Sequence, residues 1–217
     1  MLKLREALTR QIVRERLKTF VATYRTDDCI LDLGCGNSNY INFFPNRIGI
    51  DIVSKAGVNV VGDAYNLPFR ADTFSMILST EMLEHVREPQ RVIDEIQRIL
   101  KPEGKLVLTT RFIFPLHDTP NDFYRFTQYG LGHLFRGWSR FDIAPEIGSF
   151  ETFGVLLQRM AFQCDFYAAR FVRFLLLLAA RLIGILNRLI KAQYGNIART
   201  TQAKQILVSG WYVVAVK

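Results

Sequence analysis

The stretch CILDLGCGNSNY, residues 29–40, constrains this 217-residue chain more than any other. An apolar run meets an acid, Asp32, and then two glycines one residue apart, Gly34 and Gly36. The pattern predicts a strand that ends there in a tight turn, because glycine lacks the Cβ that would keep backbone N–H groups away from a ligand. The dinucleotide fingerprint G-x-G-x-x-G is met in two positions and broken in the third, where Asn39 stands. That fingerprint places an acid about 20 residues further on, at the end of the next strand. Asp51, in GIDIV, is suited to accept hydrogen bonds from two ribose hydroxyls.

The chain then alternates. NRIGIDI, VNVVGDA, FSMILST and GKLVLTTRF read as buried strands. EPQRVIDEIQRILKPEG reads as a helix with Val92, Ile96, Ile99 and Leu100 on one face, stopped by Pro102 and Gly104. Short apolar strands separated by helical patterns predict a parallel sheet covered on both faces. RFDIAPEI and SGWYVVAVK add two strands. Residues 153–196, between them, break the alternation and predict an apolar helical insert. The first 22 residues predict one amphipathic helix with Leu4, Leu8, Ile12, Val13 and Leu17 on one side, and their scattered charges do not suit a secretory signal. The expected organisation is a single domain over 1–217, containing the N-terminal helix and the insert.

Lys and Arg outnumber Asp and Glu by 28 to 20, a net charge of +8. That balance favours anionic partners (nucleic acid, anionic lipid or an acidic substrate) without choosing among them. Cys29, Cys35 and Cys164 have no Cys/His spacing suited to zinc, so no metal is expected, and an odd, scattered set suits a cytoplasmic compartment.

ILDLGCGNSNY, IGIDIV, GDAYNLPFRADTFSMILSTEMLEHV and RILKPEGKLVLTT together resemble successive motifs of class I S-adenosylmethionine-dependent methyltransferases, closest to the small-molecule type 11-like group. The resemblance runs from about residue 28 to residue 112. It implies a Rossmann-like, doubly wound α/β fold with a seven-stranded sheet, mainly parallel with the last strand antiparallel. It implies S-adenosylmethionine as cofactor. Carried over residue by residue, Asp32, Gly34, Cys35 and Gly36 would line the methionine and ribose part, and Asp51 and Ile52 the ribose side. Asp63 and Ala64 would meet the adenine, and Thr80 and Glu81 would border the methionine end and the acceptor. His85 matches the pattern in a capping or packing role. Three positions depart from the pattern: Ser38 for a third glycine, Ser75 for an acid, and KPEGK for KPGGK.

A hydroxyl acceptor must lose a proton on methylation, which calls for a base near neutral pH. PLHDTPNDFYRFTQYGLGHLF follows the fifth strand, where loops at the carboxyl ends frame the ligand crevice. His117 is the candidate base, and Asp122, Tyr124 and Arg125 are candidate substrate residues. A bland reading has Asp122 pairing with Arg125 and Thr127 capping the next helix. His133 reads as packing.

DFYAARFVRFLLLLAARLIGILNRLIKAQ is too charged for a clean membrane span. At 100° per residue, Arg170, Arg181 and Arg188 align, with Arg173 and Lys191 nearby. Such a cationic stripe on an apolar helix suits a membrane interface, and it equally suits a lid or a homodimer contact through residues 166–191. The function expected is methyl transfer to a small-molecule or lipid- or glycan-linked acceptor, with oxygen favoured over nitrogen or carbon and no nucleic acid. The alternatives are an NAD-dependent oxidoreductase, disfavoured by the absence of a Tyr-x-x-x-Lys relay, and a non-catalytic cofactor-binding module docked to membrane.

Overall fold

The computed structural model describes residues 2–37, 40 and 42–217, with side chains from residue 6 onward. Ser38 and Asn39, at the two expected third-glycine positions, lie outside the described residues, as does the side chain of Leu4.

Each apolar run expected as a strand forms one. They are β1 (Leu31–Leu33), β2 (Ile48–Asp51), β3 (Val60–Val61), β4 (Phe74–Thr80), β5 (Leu100–Arg111) and β6 (Arg140–Pro145). A two-residue pair, β7 (Gln193–Tyr194) and β8 (Gln202–Ala203), precedes the last strand, β9 (Gly210–Val216). Seven strands share one sheet in the order β3-β2-β1-β4-β5-β9-β6. Ile30, Leu31, Ile50, Ile77 and Leu78 are wholly buried, as a strand covered on both faces requires. The β1–β2, β1–β4, β2–β3 and β4–β5 pairs are parallel. β9 runs against the others: Lys217 N donates to Gly104 O at the start of β5 and Gly210 O accepts from Glu146 N just past β6. The sheet is thus mainly parallel with one antiparallel strand, the expected topology.

The helix expected between β4 and β5 is α3 (Pro89–Ile99), which buries Val92, Ile93, Ile96 and Ile99 and starts on a proline whose fixed φ suits a first turn. It ends at Ile99 and passes directly into β5, before Pro102 and Gly104. The N-terminal segment departs from a single helix. It forms α1 (Leu2–Thr9) and α2 (Ile12–Ala22), broken at Arg10–Gln11. The cause is distant in sequence: buried Gln158 accepts from Ile12 N at 3.1 Å and donates to Arg10 O at 2.9 Å, satisfying groups that a continuous helix would bond internally.

The chain divides into two compact units. One comprises residues 18–112, 116–144 and 211–217, carrying most of the sheet, α3 and α4 (Gln128–Leu134). The other comprises residues 1–17, 113–115 and 145–210. It contains α5 (Ser149–Gln163) and α6 (Ala169–Leu182), followed by a 3-10 helix, Ile183–Leu189. Leu8, Ala161 and Leu177 form one small core there, and Val13, Ile147 and Val155 another.

Candidate active site

In-register pairing brings Leu33 beside Ile50, and Thr80 beside Thr109, so the carboxyl ends of β1, β2, β4 and β5 lie together. In open α/β sheets that edge is where ligands bind. A cavity of about 460 Å³ opens there, within the usual range for small-molecule sites. Of the residues expected at the cofactor, Gly34, Asp51, Ile52, Asp63, Ala64 and Glu81 line it.

Gly34 has φ +71°, and a Cβ on it would sit 2.5 Å from Met82 Cγ. Both the left-handed backbone and the close approach require glycine. Asp51 shapes the turn: Oδ2 accepts from Gly36 N at 2.9 Å and Oδ1 from Val53 N at 3.1 Å. A carboxylate has about four lone-pair sites, so two remain for ligand hydroxyls. Ile52 and Val53 are 71% and 51% exposed on the cavity wall, an apolar face that fits a flat ring. Asp63 Oδ1 accepts from Tyr65 N, which fixes the carboxylate at the rim.

The other four expected cofactor residues support the site from behind: Asp32, Cys35, Gly36 and Thr80 are not on the wall among the described residues. Asp32 is 1% exposed and pairs with the buried guanidinium of Arg47 at 3.3 Å. Arg47 also donates to Gly57 O at 2.9 Å, joining the glycine turn to the segment after β2. The Cys35 thiol is buried, which pushes its pKa up. Glu81, with φ +53°, pairs with Arg111 at the end of β5.

The loop after β5 is clipped to the short helical turn Leu83–His85. Phe123 N and Tyr124 N both donate to Glu84 O, at 3.0 and 3.1 Å, and His85 Nδ1 meets Asn121 O at 2.6 Å. Three groups thereby converge. The His85 and His117 rings lie 4.7 Å apart, edge to face, and His117 Nε2 is 3.9 Å from Glu84 Oε1. Glu84 is fully buried, and its Oε2 accepts from the Thr110 hydroxyl at 2.7 Å. Burial pushes the Glu84 carboxyl up to about 7, against the Thr110 hydrogen bond. Burial pushes His117 down to about 4, and neighbouring His85 adds to this.

His85, Asp118, Asn121 and Phe123 reach the cavity wall. The residues proposed from sequence for the acceptor are engaged within the loop. Asp122 forms a bidentate pair with Arg125, both distances 2.6 Å, and accepts from His117 N. Those bonds hold the Asp122 carboxyl down at about 2. Tyr124 OH donates to Arg87 O, and its ring stacks on Phe126. Thr127 Oγ1 accepts from Gly130 N and caps α4. Sequence reasoning gave His85 a lesser role and missed Asn121 and Phe123. The signal available for His85 was its place directly after β4, at the same sheet edge as Asp51.

A strand-ending Asp-x-Gly-x-Gly turn, a ribose-competent acid one strand over and a cavity at the carboxyl edge of a β3-β2-β1-β4-β5-β9-β6 sheet define the class I methyltransferase fold. Comparison with known proteins agrees. Residues 31–108 match the methyltransferase domain family model. A tRNA (carboxymethyluridine(34)-5-O)-methyltransferase of Arabidopsis thaliana is 33% identical over 107 residues, 43% of this chain and 26% of that protein. A probable tRNA methyltransferase 9B of Bos taurus is 32% identical over 106 residues, 43% of this chain and 23% of that protein. The chain thus spans about a quarter of the length of these two relatives. A SAM-dependent methyltransferase structure from Archaeoglobus fulgidus shares the fold at TM-score 0.60 and 16% identity, covering 96% of this chain and 94% of that one. A phosphoethanolamine N-methyltransferase 2 of Haemonchus contortus, complexed with S-adenosylhomocysteine, aligns at TM-score 0.57 and 15% identity, covering 94% and 53%. Residues 31–108 thus match a methyltransferase domain model, and the chain has the fold of S-adenosylmethionine-dependent methyltransferases of known structure.

Proposed function

We propose that the protein transfers a methyl group to an oxygen of a lipid- or glycan-linked acceptor. The observation that carries the reading is the cavity itself, with a ribose-competent acid at one end and the Glu84–His85–His117 cluster at the other. When bound, S-adenosylmethionine supplies an electrophilic methyl group. The chain's own task is to orient an acceptor, exclude water and handle the acceptor's proton. Asp51 and the Gly34 turn hold the nucleoside side, and Ile52 packs on it. His85, Asp118 and Asn121 meet the acceptor side. His117 acts within the cluster rather than alone, because it is neutral at pH 7 and its Nε2 faces Glu84. An oxygen acceptor also accords with the Arabidopsis thaliana relative, whose name denotes methylation at oxygen. That name and the Bos taurus one put tRNA beside the lipid-linked acceptor, against the expectation of no nucleic acid.

The second unit favours the lipid side. It holds 13 Lys and Arg against 5 Asp and Glu, whereas the cofactor-binding unit holds 15 of each, so the whole +8 belongs to the former. The cationic stripe expected from sequence is rearranged. The α-helix ends at Leu182, Arg173 pairs with Asp165, and the Arg181 guanidinium donates to the Arg10 carbonyl. Arg170, Arg188 and Lys191 stay exposed. Phe171, Leu175 and Leu182 share one outward face of α6 and are 64%, 45% and 54% exposed, while Leu177 and Ala180 face inward. Ile185 and Leu189 continue the exposed apolar surface. An exposed apolar helix face with basic residues beside it matches an element lying in an anionic membrane interface. No helix among the described residues is long and apolar enough to cross a membrane.

The test supplies S-adenosylmethionine with a labelled methyl group to the protein with anionic lipid extract or with bulk tRNA. Label in lipid that survives mild base, as a methyl ether does, supports the reading. Label in tRNA alone moves the acceptor to nucleic acid. Failure to bind S-adenosylhomocysteine overturns it. The companion test is sedimentation with phosphatidylglycerol vesicles, which a Phe171→Ser, Leu175→Ser, Leu189→Ser variant should lose. Equal sedimentation of the two proteins would remove the membrane from the proposal.

A further inference from the structure

Glu84, His85 and His117 each offer one ligand atom, and these atoms lie within 4.8 Å of one another. Glu84 is fully buried, and its Oε1 accepts no hydrogen bond among the described residues. A carboxylate oxygen in that position is costly unless something else satisfies it. The surroundings are those of a ligand set. The Thr110 hydroxyl fixes Glu84 Oε2 and so directs Oε1 inward. The Asn121 carbonyl meets His85 Nδ1, which makes Nδ1 the donor and Nε2 the ligand atom. Asp122 stands 3.5 Å from His117 Nδ1, placing a carboxylate behind that imidazole, while Nε2 faces Glu84. Outer carboxylates and carbonyls that orient ligating imidazoles in this way recur around bound metals.

We propose that Glu84, His85 and His117 bind one divalent cation of the imidazole-seeking kind, the class of Zn²⁺, Co²⁺ and Mn²⁺, at the acceptor end of the cavity. Two imidazoles and a carboxylate are a common catalytic donor set for such ions, leaving one or more positions open. Metal–ligand bonds near 2.1 Å imply donor–donor separations of about 3.4 Å. The 3.9 Å between Glu84 Oε1 and His117 Nε2 is therefore within a side-chain adjustment of a bound geometry. Asp118, whose Oδ2 is 3.9 Å from His85 Nε2, stands next in line as a further oxygen donor. No local spacing marks this set, because two of its members sit on a short turn after β4 and the third on a loop 32 residues later. The role of the ion rests on the methyl-transfer reading: His85 lines the cavity, and a cation held there would lower the pKa of an acceptor hydroxyl. Binding of the ion does not depend on that reading.

The test uses the full chain after chelation and dialysis. Zn²⁺, Co²⁺, Mn²⁺ and Mg²⁺ are titrated calorimetrically, and the Co²⁺ sample is followed by its visible d–d absorption. The expected result is one site per chain for the first three ions and Co²⁺ bands showing mixed nitrogen and oxygen ligation. Glu84→Gln and His117→Asn should weaken binding by about 100-fold or more, and Thr110→Val, which only frees Glu84, by about 10- to 100-fold. S-adenosylhomocysteine is titrated alongside, so that failure of the methyltransferase reading shows separately as loss of nucleoside binding. No stoichiometric site, or a site unchanged in all three variants, would overturn the proposal.

Discussion

Replacing Asp51 tests its proposed hold on the cofactor ribose. The carboxylate spends one lone pair on Gly36 N and one on Val53 N, leaving two for hydroxyls. A hydrogen bond to a charged group contributes about 1.5–3 kcal/mol net. Asp51 is only half-buried, so the lower figure applies to each of two bonds. Asp51→Ala should then cost about 3 kcal/mol of S-adenosylhomocysteine affinity, roughly 100-fold in Kd. Asp51→Asn keeps one acceptor oxygen in place and should cost about half that free energy, near tenfold. The assay is isothermal titration with S-adenosylhomocysteine, with NADH as control and thermal unfolding to confirm that each variant is folded. The order must be Asp, then Asn, then Ala. A folded Asp51→Ala protein within threefold of the parent would refute the assignment.

Gly34→Ala forces a Cβ at φ +71° toward Met82 and should lower stability by about 2–4 kcal/mol, read by denaturant unfolding, with weaker nucleoside binding by titration. Arg47→Met leaves Asp32 buried without its cation, for which the expected loss is about 3–5 kcal/mol in the same assay. Gln158→Leu strips the cap from the α1–α2 break and should cost about 1–3 kcal/mol, with faster amide exchange at Ile12. Arg98 and Leu67 N hold the Glu95 carboxyl below its usual 4.5. Its stabilisation is present above that value and is lost as pH falls through the lower folded pKa, so Glu95→Gln should flatten the melting-temperature decline on acidification below pH 4.5.

What the sequence made legible follows from range. β1, β2, β4 and β5 were readable because burial on both faces forces continuous apolar runs, and Asp51 because a strand-turn-strand spacing is local. Gly34 was readable because its backbone conformation admits little else. The partner of Asp32 was not, since Arg47 carries no local mark of burial. The break at Arg10 depends on Gln158, far along the chain and on another helix. His85 and His117 meet only because Glu84 O accepts two N–H groups from a later loop. The arginines of the insert looked alike on a helical projection, yet Arg173 pairs with exposed Asp165 and Arg181 donates to the Arg10 carbonyl, while Arg170 stays exposed.

The partition of charge bears on how such a chain diverges over time. Every residue on the cavity wall belongs to the electrically neutral unit, and the net excess of cations and the bare apolar helix face belong to the other. Under the proposed function, substitutions that shed cations from residues 145–210 would weaken attraction to an anionic surface without altering a residue of the cavity wall. The family match over residues 31–108 lies wholly within the neutral unit. On that reading the surface partner and the nucleoside draw on different residues of the chain.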